Sequence, residues 1–393
     1  MRTKAVVVLV AILALATGAF AASKVKARKN RPTGTLTVLY SFTCTNGDGC
    51  YPYGTLMVDK KTGNLWGLTN DGGANSYGTV FELVKTNNYA ETVAHSFDYT
   101  DGAYPFENSL VEDSSGNIYG ETDSGGANGY GTVFEISSSG TFSTLHSFDY
   151  SDGGFPYGGP ILLKGVLYGT TESGGSNGYG TVWSLTTSGT LTTLENLDYS
   201  NTGGYTLAGL TADKKGNLWG TCEAGGTNGY GTIFELTQSK GTWTFNVEHA
   251  FDYSDGGYPY GAAVAVSKVN AIIGTTESGG SSGAGTVWQI KNGTFASLYS
   301  FTGSTDGGYP FGTPKINKKG QVFGTTEGGG NDYGTVYIMT QKSGTWTETV
   351  DYAFSYTDGG YPYGGVVGSA TTVFGTTGSG GTNGYGEVFS LAP

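Results

Sequence analysis

The chain has 393 residues with 70 glycines, 28 tyrosines and a formal net charge of −12. Glycine at this level without a strict triplet period excludes collagen, and its regular spacing beside aromatic residues speaks for a folded chain. Once Arg2, Lys4 and the basic residues Lys24, Lys26, Arg28, Lys29 and Arg31 are set aside, 13 lysines face 32 acids, a body charge of 13 − 32 = −19 that excludes nucleic acid as a partner.

In chain order, Arg2 and Lys4 precede an apolar run from Ala5 to Phe20, and Ala19-Phe20-Ala21 reads as a small-residue cleavage site. Residues 1–21 are therefore expected to be a secretory signal peptide, too short and wrongly flanked for a membrane span. Residues 22–34 read as a basic, disordered leader. No second apolar run follows, so the expected mature protein is a soluble, exported monomer without a transmembrane segment. Cys44 and Cys50 lie six apart in one loop, and export favours their forming a disulfide. Cys222 stands where other units carry Thr171 or Thr276, which reads as a small buried residue.

From residue 35 to 393 the chain repeats. A Gly-Thr-Val-Phe-like tetrad begins at Gly78, Gly131, Gly180, Gly231, Gly285, Gly334 and Gly386, at intervals of 53, 49, 51, 54, 49 and 52 residues. Each unit holds four short segments with strand character separated by turn residues, and none shows helical periodicity. Seven such units predict an all-β fold, a seven-bladed β-propeller of four-stranded blades; an open β-solenoid is the alternative. With strands a to d named from the axis outward, the array begins on a spare strand d, Thr35–Phe42. It ends on strand c, Gly386–Leu391. The N-terminal strand is expected to pair with the last blade and close the ring. Strand b carries one glycine per unit, from Gly67 and Gly120 to Gly375, and an aromatic of a neighbouring blade is expected to pack on it.

The runs Gly116–Phe134, Gly165–Trp183 and Gly216–Phe234 follow the pattern Gly-Asn-Leu-Tyr-Gly-Thr-Thr, Ser-Gly-Gly, Asn-Gly-Tyr, Gly-Thr-Val-Phe. This resembles the GloVer tandem repeat of bacterial secreted proteins, over nearly all of residues 35–393. The resemblance implies an exported, periplasmic, cell-surface or extracellular repeat protein of undefined activity, and it carries over no catalytic residue.

In a four-stranded blade the d–a and b–c links emerge on one face, the a–b and c–d links on the other. The first set holds acids in every unit and no lysine or arginine. Lysines fall in or beside a–b and c–d turns, with Lys315 alone near strand a. The acidic face is rich in tyrosine, and aromatic rings beside carboxylates are the chemistry of sugar recognition. The candidate ligand residues are Asp98, Tyr99, Asp101, Asp149, Tyr150, Asp152, Tyr130, Tyr179, Asp358, Tyr361 and Tyr385. They belong to the units least altered by Asn201, Thr206 and Ala284, which break the pattern elsewhere. Clustered carboxylates beside glycines could also take calcium. Set against this, Asp-Gly pairs are ordinary turn formers and repeated tyrosines stack between blades.

His95, His146 and His249 occupy one repeat position and read as structural residues at the end of strand d, not as a metal centre or a triad. Each candidate acid recurs as a repeat feature, so no catalytic residue and no organic cofactor is assigned. Three readings follow: a non-catalytic propeller that binds a glycan or a surface protein, a purely structural matrix component, and a polysaccharide hydrolase or lyase using paired carboxylates.

Overall fold

The computed structural model describes residues 34–106, 109–266, 268–369 and 371–392. The expected signal peptide and all of the basic leader except Gly34 lie outside these residues. Strand c is the buried centre of each sheet, as in Thr132–Ile136, where only Glu135 is not buried. Strand d alternates between half-buried and exposed positions, as in Thr242–Ala250, which suits the outer edge of a blade.

These segments form seven four-stranded antiparallel sheets, and among the described residues there is no α-helix. The protein is a seven-bladed β-propeller. Blade 2 is typical: strand a is Val111–Glu112, b Ile118–Thr122, c Thr132–Ile136 and d Phe142–Ser147. Inter-blade contact is apolar; blade 1 packs on blade 2 through Leu68, Val80, Phe97, Leu110, Ile118 and Phe134.

The N-terminal strand closes the ring as expected. Thr35–Ser41 runs antiparallel to Glu387–Ala392, from Thr35↔Ala392 to Ser41↔Glu387, making the last blade four-stranded. Ser41 Oγ donates to Glu387 Oε1 at 2.8 Å, and the Phe42 amide donates to the Gly386 carbonyl at 3.1 Å. Near the axis the Gly365 amide donates to Thr55 Oγ1 at 2.8 Å and Thr376 Oγ1 to the Gly54 carbonyl at 3.0 Å, so blades 7 and 1 also join on the inside. Cys44 and Cys50 are disulfide-bonded beside this seam. Gly49-Cys50 forms a short ladder with Asp71-Gly72. Cys222 is fully buried, and burial pushes its thiol up to about 12, an inert state.

One expectation is corrected. The aromatic over each strand-b glycine comes from strand c of the same blade, not from a neighbouring blade. Gly120 is the direct cross-strand partner of Phe134, as Gly67 is of Phe81 and Gly169 of Trp183. A Cβ at Gly120 would collide with the Phe134 ring. Directly opposed positions on one face of a pleated sheet are immediate neighbours, so the ring folds across the glycine of its own sheet.

The c–d pairing carries the same β-bulge in all seven blades, between the second and third residues of the pairing on strand c or its partner in blade 7. In blade 2 it falls between Val133↔His146 and Phe134↔Thr144. A bulge at a rim re-aims the following side chain. Here it turns His146 toward the d–a link.

Candidate functional site

The face formed by the d–a and b–c links, called the upper face, is knitted by its own polar groups. His95 Nε2 lies 2.8 Å from Asp101 Oδ2, and the Asp101 Oδ1 accepts the Asp98 amide at 3.0 Å. Asp98 Oδ1 in turn accepts the Thr100 amide and hydroxyl, at 2.9 and 2.7 Å, and these bonds hold its carboxyl below the usual range. The arrangement repeats at His146, Asp149 and Asp152, and at His249, Asp252 and Asp255. In two blades without the histidine a phenol takes over: Tyr352 donates to Asp358 at 2.6 Å and Tyr299 to Asp306 at 2.9 Å; the blade with Glu195 at this position instead has the Asp198 amide donating to Thr202 Oγ1 at 2.7 Å. The candidate carboxylates Asp98, Asp101, Asp149, Asp152 and Asp358 therefore each hold a loop. The three histidines act in these loops; among the described residues no group of three or more His, Cys, Asp or Glu could hold a metal ion.

The loops present tyrosines in an unusual conformation. Tyr99, Tyr150, Tyr253 and Tyr356 have φ of 73°, 70°, 69° and 67°, a left-handed region that is strained for a bulky residue. Backbone bonds enforce it: the Tyr99 amide donates to the Gly102 carbonyl at 3.1 Å, and the Gly126 amide donates to the Tyr99 carbonyl at 2.8 Å. The result is four exposed rings, Tyr99, Tyr150, Tyr253 and Tyr356, between 38 and 42 % exposed; Tyr199, without the left-handed backbone, and Tyr309, from the position before Pro310, expose two more.

The other candidate tyrosines support these. Tyr130 packs on Tyr150 at 5.1 Å between ring centroids, Tyr179 on Tyr199 at 5.5 Å, and Tyr361 meets Tyr333 at 5.8 Å. Tyr385 packs edge-on against Tyr51 across the seam. Tyr130, Tyr150 and the Asp149–Asp152 loop thus come together, while Tyr99, Tyr179, Tyr361 and Tyr385 belong to separate clusters spaced around the face. In blade 5 Ala284 replaces the supporting tyrosine, and that cluster is absent.

Two inner rings were not singled out from the sequence. The residue after the repeat proline, or after Thr206 in the fourth unit, lies toward the axis: Tyr53, Phe106, Tyr157, Leu207, Tyr260, Phe311 and Tyr363. Their rings form a chain of contacts that closes on itself, with Tyr53–Phe106 at 4.7 Å, Phe106–Tyr157 at 5.2 Å, Tyr260–Phe311 at 4.7 Å, Phe311–Tyr363 at 5.3 Å and Tyr53–Tyr363 at 5.3 Å. Tyr157 and Tyr260 meet edge-on at 6.4 Å, across the blade that carries Leu207. This collar narrows the axial channel to a cavity of about 20 Å³ lined by backbone such as Gly158, Gly209 and Gly312.

Three residues beyond each strand-b glycine stands the second ring, Asp123, Glu172, Glu223, Glu277 and Glu327 in blades 2 to 6. Burial raises Asp123 up to about 6, and burial, then Glu277 and Glu172 beside it, raises Glu223 to about 7. Glu172 is raised by burial and by Asp123, and Glu277 by burial and by Glu327. Tyr363 Oη donates to Glu327 Oε1 at 2.8 Å, joining the acid belt to the aromatic collar. Blades 7 and 1 break the belt with Gly378 and Asn70. Both rings had a sequence signal in the repeat alignment, the aromatic after each proline and the acid three past each strand-b glycine.

Glu121, not among the candidate acids, does not recur in the other units. It lies where Thr170, Thr325 and Thr376 donate to the next blade, and it is fully buried. Its Oε2 accepts the Gly159 amide at 3.1 Å, its Oε1 has no partner, and burial raises its carboxyl well above the usual range. It ties blade 2 to the link that enters blade 3.

Sequence comparison matches one repeat family in three overlapping stretches, residues 27–234, 84–288 and 212–393, which together span the whole propeller. The chain belongs to the Gloeobacter/Verrucomicrobia repeat family. No curated protein matches it. Among solved structures, this family member is similar in fold to a puromycin-hydrolyzing peptidase of Mycobacterium tuberculosis, at TM-score 0.52 and 9% identity over 89% of this chain and 53% of that one. The chain thus spans about half the length of the peptidase. It is equally similar to a candidate 6-phosphogluconolactonase of Bacteroides uniformis, at TM-score 0.52 and 12% identity over 79% and 88% of the two chains. At these identities the likeness is one of fold.

Proposed function

We propose that the protein is an exported, non-catalytic binding propeller that docks a glycan on its upper face. The observation that carries this reading is the set of exposed tyrosines held in left-handed backbone conformations around a belt of carboxyls. Backbone strain of that kind persists where surrounding bonds over-determine it, and here it turns rigid aromatic faces to solvent at little entropic cost. Tyrosine faces cover the C–H surfaces of a sugar. Belt carboxyls that titrate near neutrality both accept and donate hydrogen bonds, which matches vicinal hydroxyls. Repetition around the ring favours a long or branched ligand, since several weak sites on one rigid body add by avidity. Export rests on residues 1–21, and calcium enters as a condition of the test.

A glycan array probed with and without calcium tests the reading, with Tyr253→Ala and Glu223→Gln variants as controls. Binding should fall with each variant; no glycan bound in either condition would end it.

A second reading is favoured by Glu223 alone. A carboxyl raised to about 7 beside two like-charged neighbours has the protonation balance of a general acid–base group. Turnover of a polysaccharide or a sugar lactone, abolished in Glu223→Gln but not in Glu172→Gln, would establish an enzyme and displace the binding proposal.

A further inference from the structure

The lower face carries a charge asymmetry independent of the upper-face site. Hollows open there between neighbouring blades. The one between blades 4 and 5 balances Lys214 and Lys215 against Asp213, Glu235 and Glu248, and the one between blades 1 and 2 sets Lys61 against Asp59 and Glu112. The sector of blades 6, 7 and 1 is different. A cavity of about 800 Å³ has Leu56, Val367 and Phe374 in its wall and Lys60, Lys85 and Lys315 around it, and no carboxylate lines it. The adjoining hollow of about 520 Å³ shares Lys315 and adds Lys318 and Lys319 over Phe323, again without a carboxylate.

Lys315 is the singular residue. It opens strand a of blade 6, paired with Phe323, where the corresponding residues of other blades are Met57, Val111, Ile161, Thr211, Val264 and Val367. The side chain is half-buried. The ion pairs among the described residues are three His–Asp contacts, so no described carboxylate neutralises it. A partly desolvated ammonium over an apolar wall is costly unless an anion meets it.

We infer that this sector binds a small anionic amphiphile, a carboxylate carrying an aliphatic chain. The carboxylate meets Lys315 with Lys60 or Lys85, and the chain lies over Leu56 and Phe374. A polyanion is disfavoured because a body charge of −19 repels it, whereas a single carboxylate within a Debye length of about 8 Å feels mainly the local lysines.

Calorimetric titration with dodecanoate, below its micelle concentration, tests the site on the full mature chain. Saturable one-to-one binding is expected, weakened about tenfold in Lys315→Met, consistent with one lost charge-assisted contact. Methionine already stands at this position in blade 1, so the variant should fold, and an unchanged melting curve confirms it. Dodecyltrimethylammonium should not bind, and Tyr253→Ala on the upper face should leave dodecanoate affinity unchanged. Equal binding of the cationic and anionic chains, an undiminished Lys315→Met, or binding only to anionic lipid vesicles would each overturn the inference.

Discussion

The hydroxyl of Tyr363 donates to Glu327 Oε1 at 2.8 Å, so one hydrogen bond ties the aromatic collar to the acid belt. Both residues are half-buried near the axis, one from the link entering blade 7 and the other from blade 6. Removing the donor leaves a partly desolvated carboxylate short of a partner. Tyr363→Phe should therefore lower stability by about 1 kcal/mol. Urea denaturation of the variant beside Glu327→Gln checks it, and additive effects of the two changes would show that the bond carries no coupling.

Glu348 offers a stabilising change. In strand d, four residues before each His or Tyr, blades 2 and 5 carry Phe142 and Phe295, and these stack on the preceding blade's His95 and His249 with centroids 3.6 Å apart. Blade 6 carries Glu348 at that position, 8 % exposed, with Oε1 unpartnered and the Tyr337 hydroxyl also unpartnered. Burial, then Asp306, push the Glu348 carboxyl up to about 8. Glu348→Phe should stabilise the protein by roughly 1–4 kcal/mol at pH 8, by replacing a buried charge with apolar volume. The gain should shrink at pH 5, where Glu348 is neutral; a variant less stable than the parent at pH 8 would refute this.

The same carboxyls set the pH profile. Glu348 titrates at about 8, Glu223 and Glu91 at about 7, and Asp123 at about 6, each raised first by burial. A folded value above the unfolded one means that the unfolded chain loses its proton first, so the stability contributed by the neutral forms is complete below about pH 4 and lost as pH rises through 6 to 8. Asp98 and Asp149 work in the opposite sense. Hydrogen bonds lower them, and their contribution disappears as pH falls below the unfolded value near 4. Melting temperature should peak near pH 5 and decline toward pH 8. A plateau from 5 to 8 would show that the buried acids are relaxed by solvent.

The seam predicts a mechanical weakness. Residues 35–41 supply the whole outer strand of blade 7, and Phe42 beyond them is fully buried against Phe81. Deleting residues 35–42 opens a sheet edge and removes that core residue. Melting temperature should fall by roughly 10 °C or more. An unchanged value would mean the ring holds through its inner contacts at Gly54 and Thr55 alone.

Blade count, strand order and closure were legible because each rests on local chemistry repeated in register. The spare strand at Thr35, the missing one after Glu387 and the opposed placement of acids and lysines needed no contact information. Candidate site residues were legible only as members of a face. Sequence could place Asp101 on that face but not show its carboxylate bound to His95, because the bulge that aims the histidine is a property of the paired strands.

The repeat alone determined a seven-bladed ring with one acidic rim, since fifty-residue units with strand character and no helical period close in few ways. Tertiary structure decided which groups meet at the axis. Tyr363 and Glu327 are 36 residues apart in the chain and join only where two blades converge. Lys315 lines one hollow with Lys60 and Lys85 only because the ring brings its sixth blade round to its first. Convergence on an axis is set by blade packing and closure, and no local pattern of residues encodes which side chains will face one another across it.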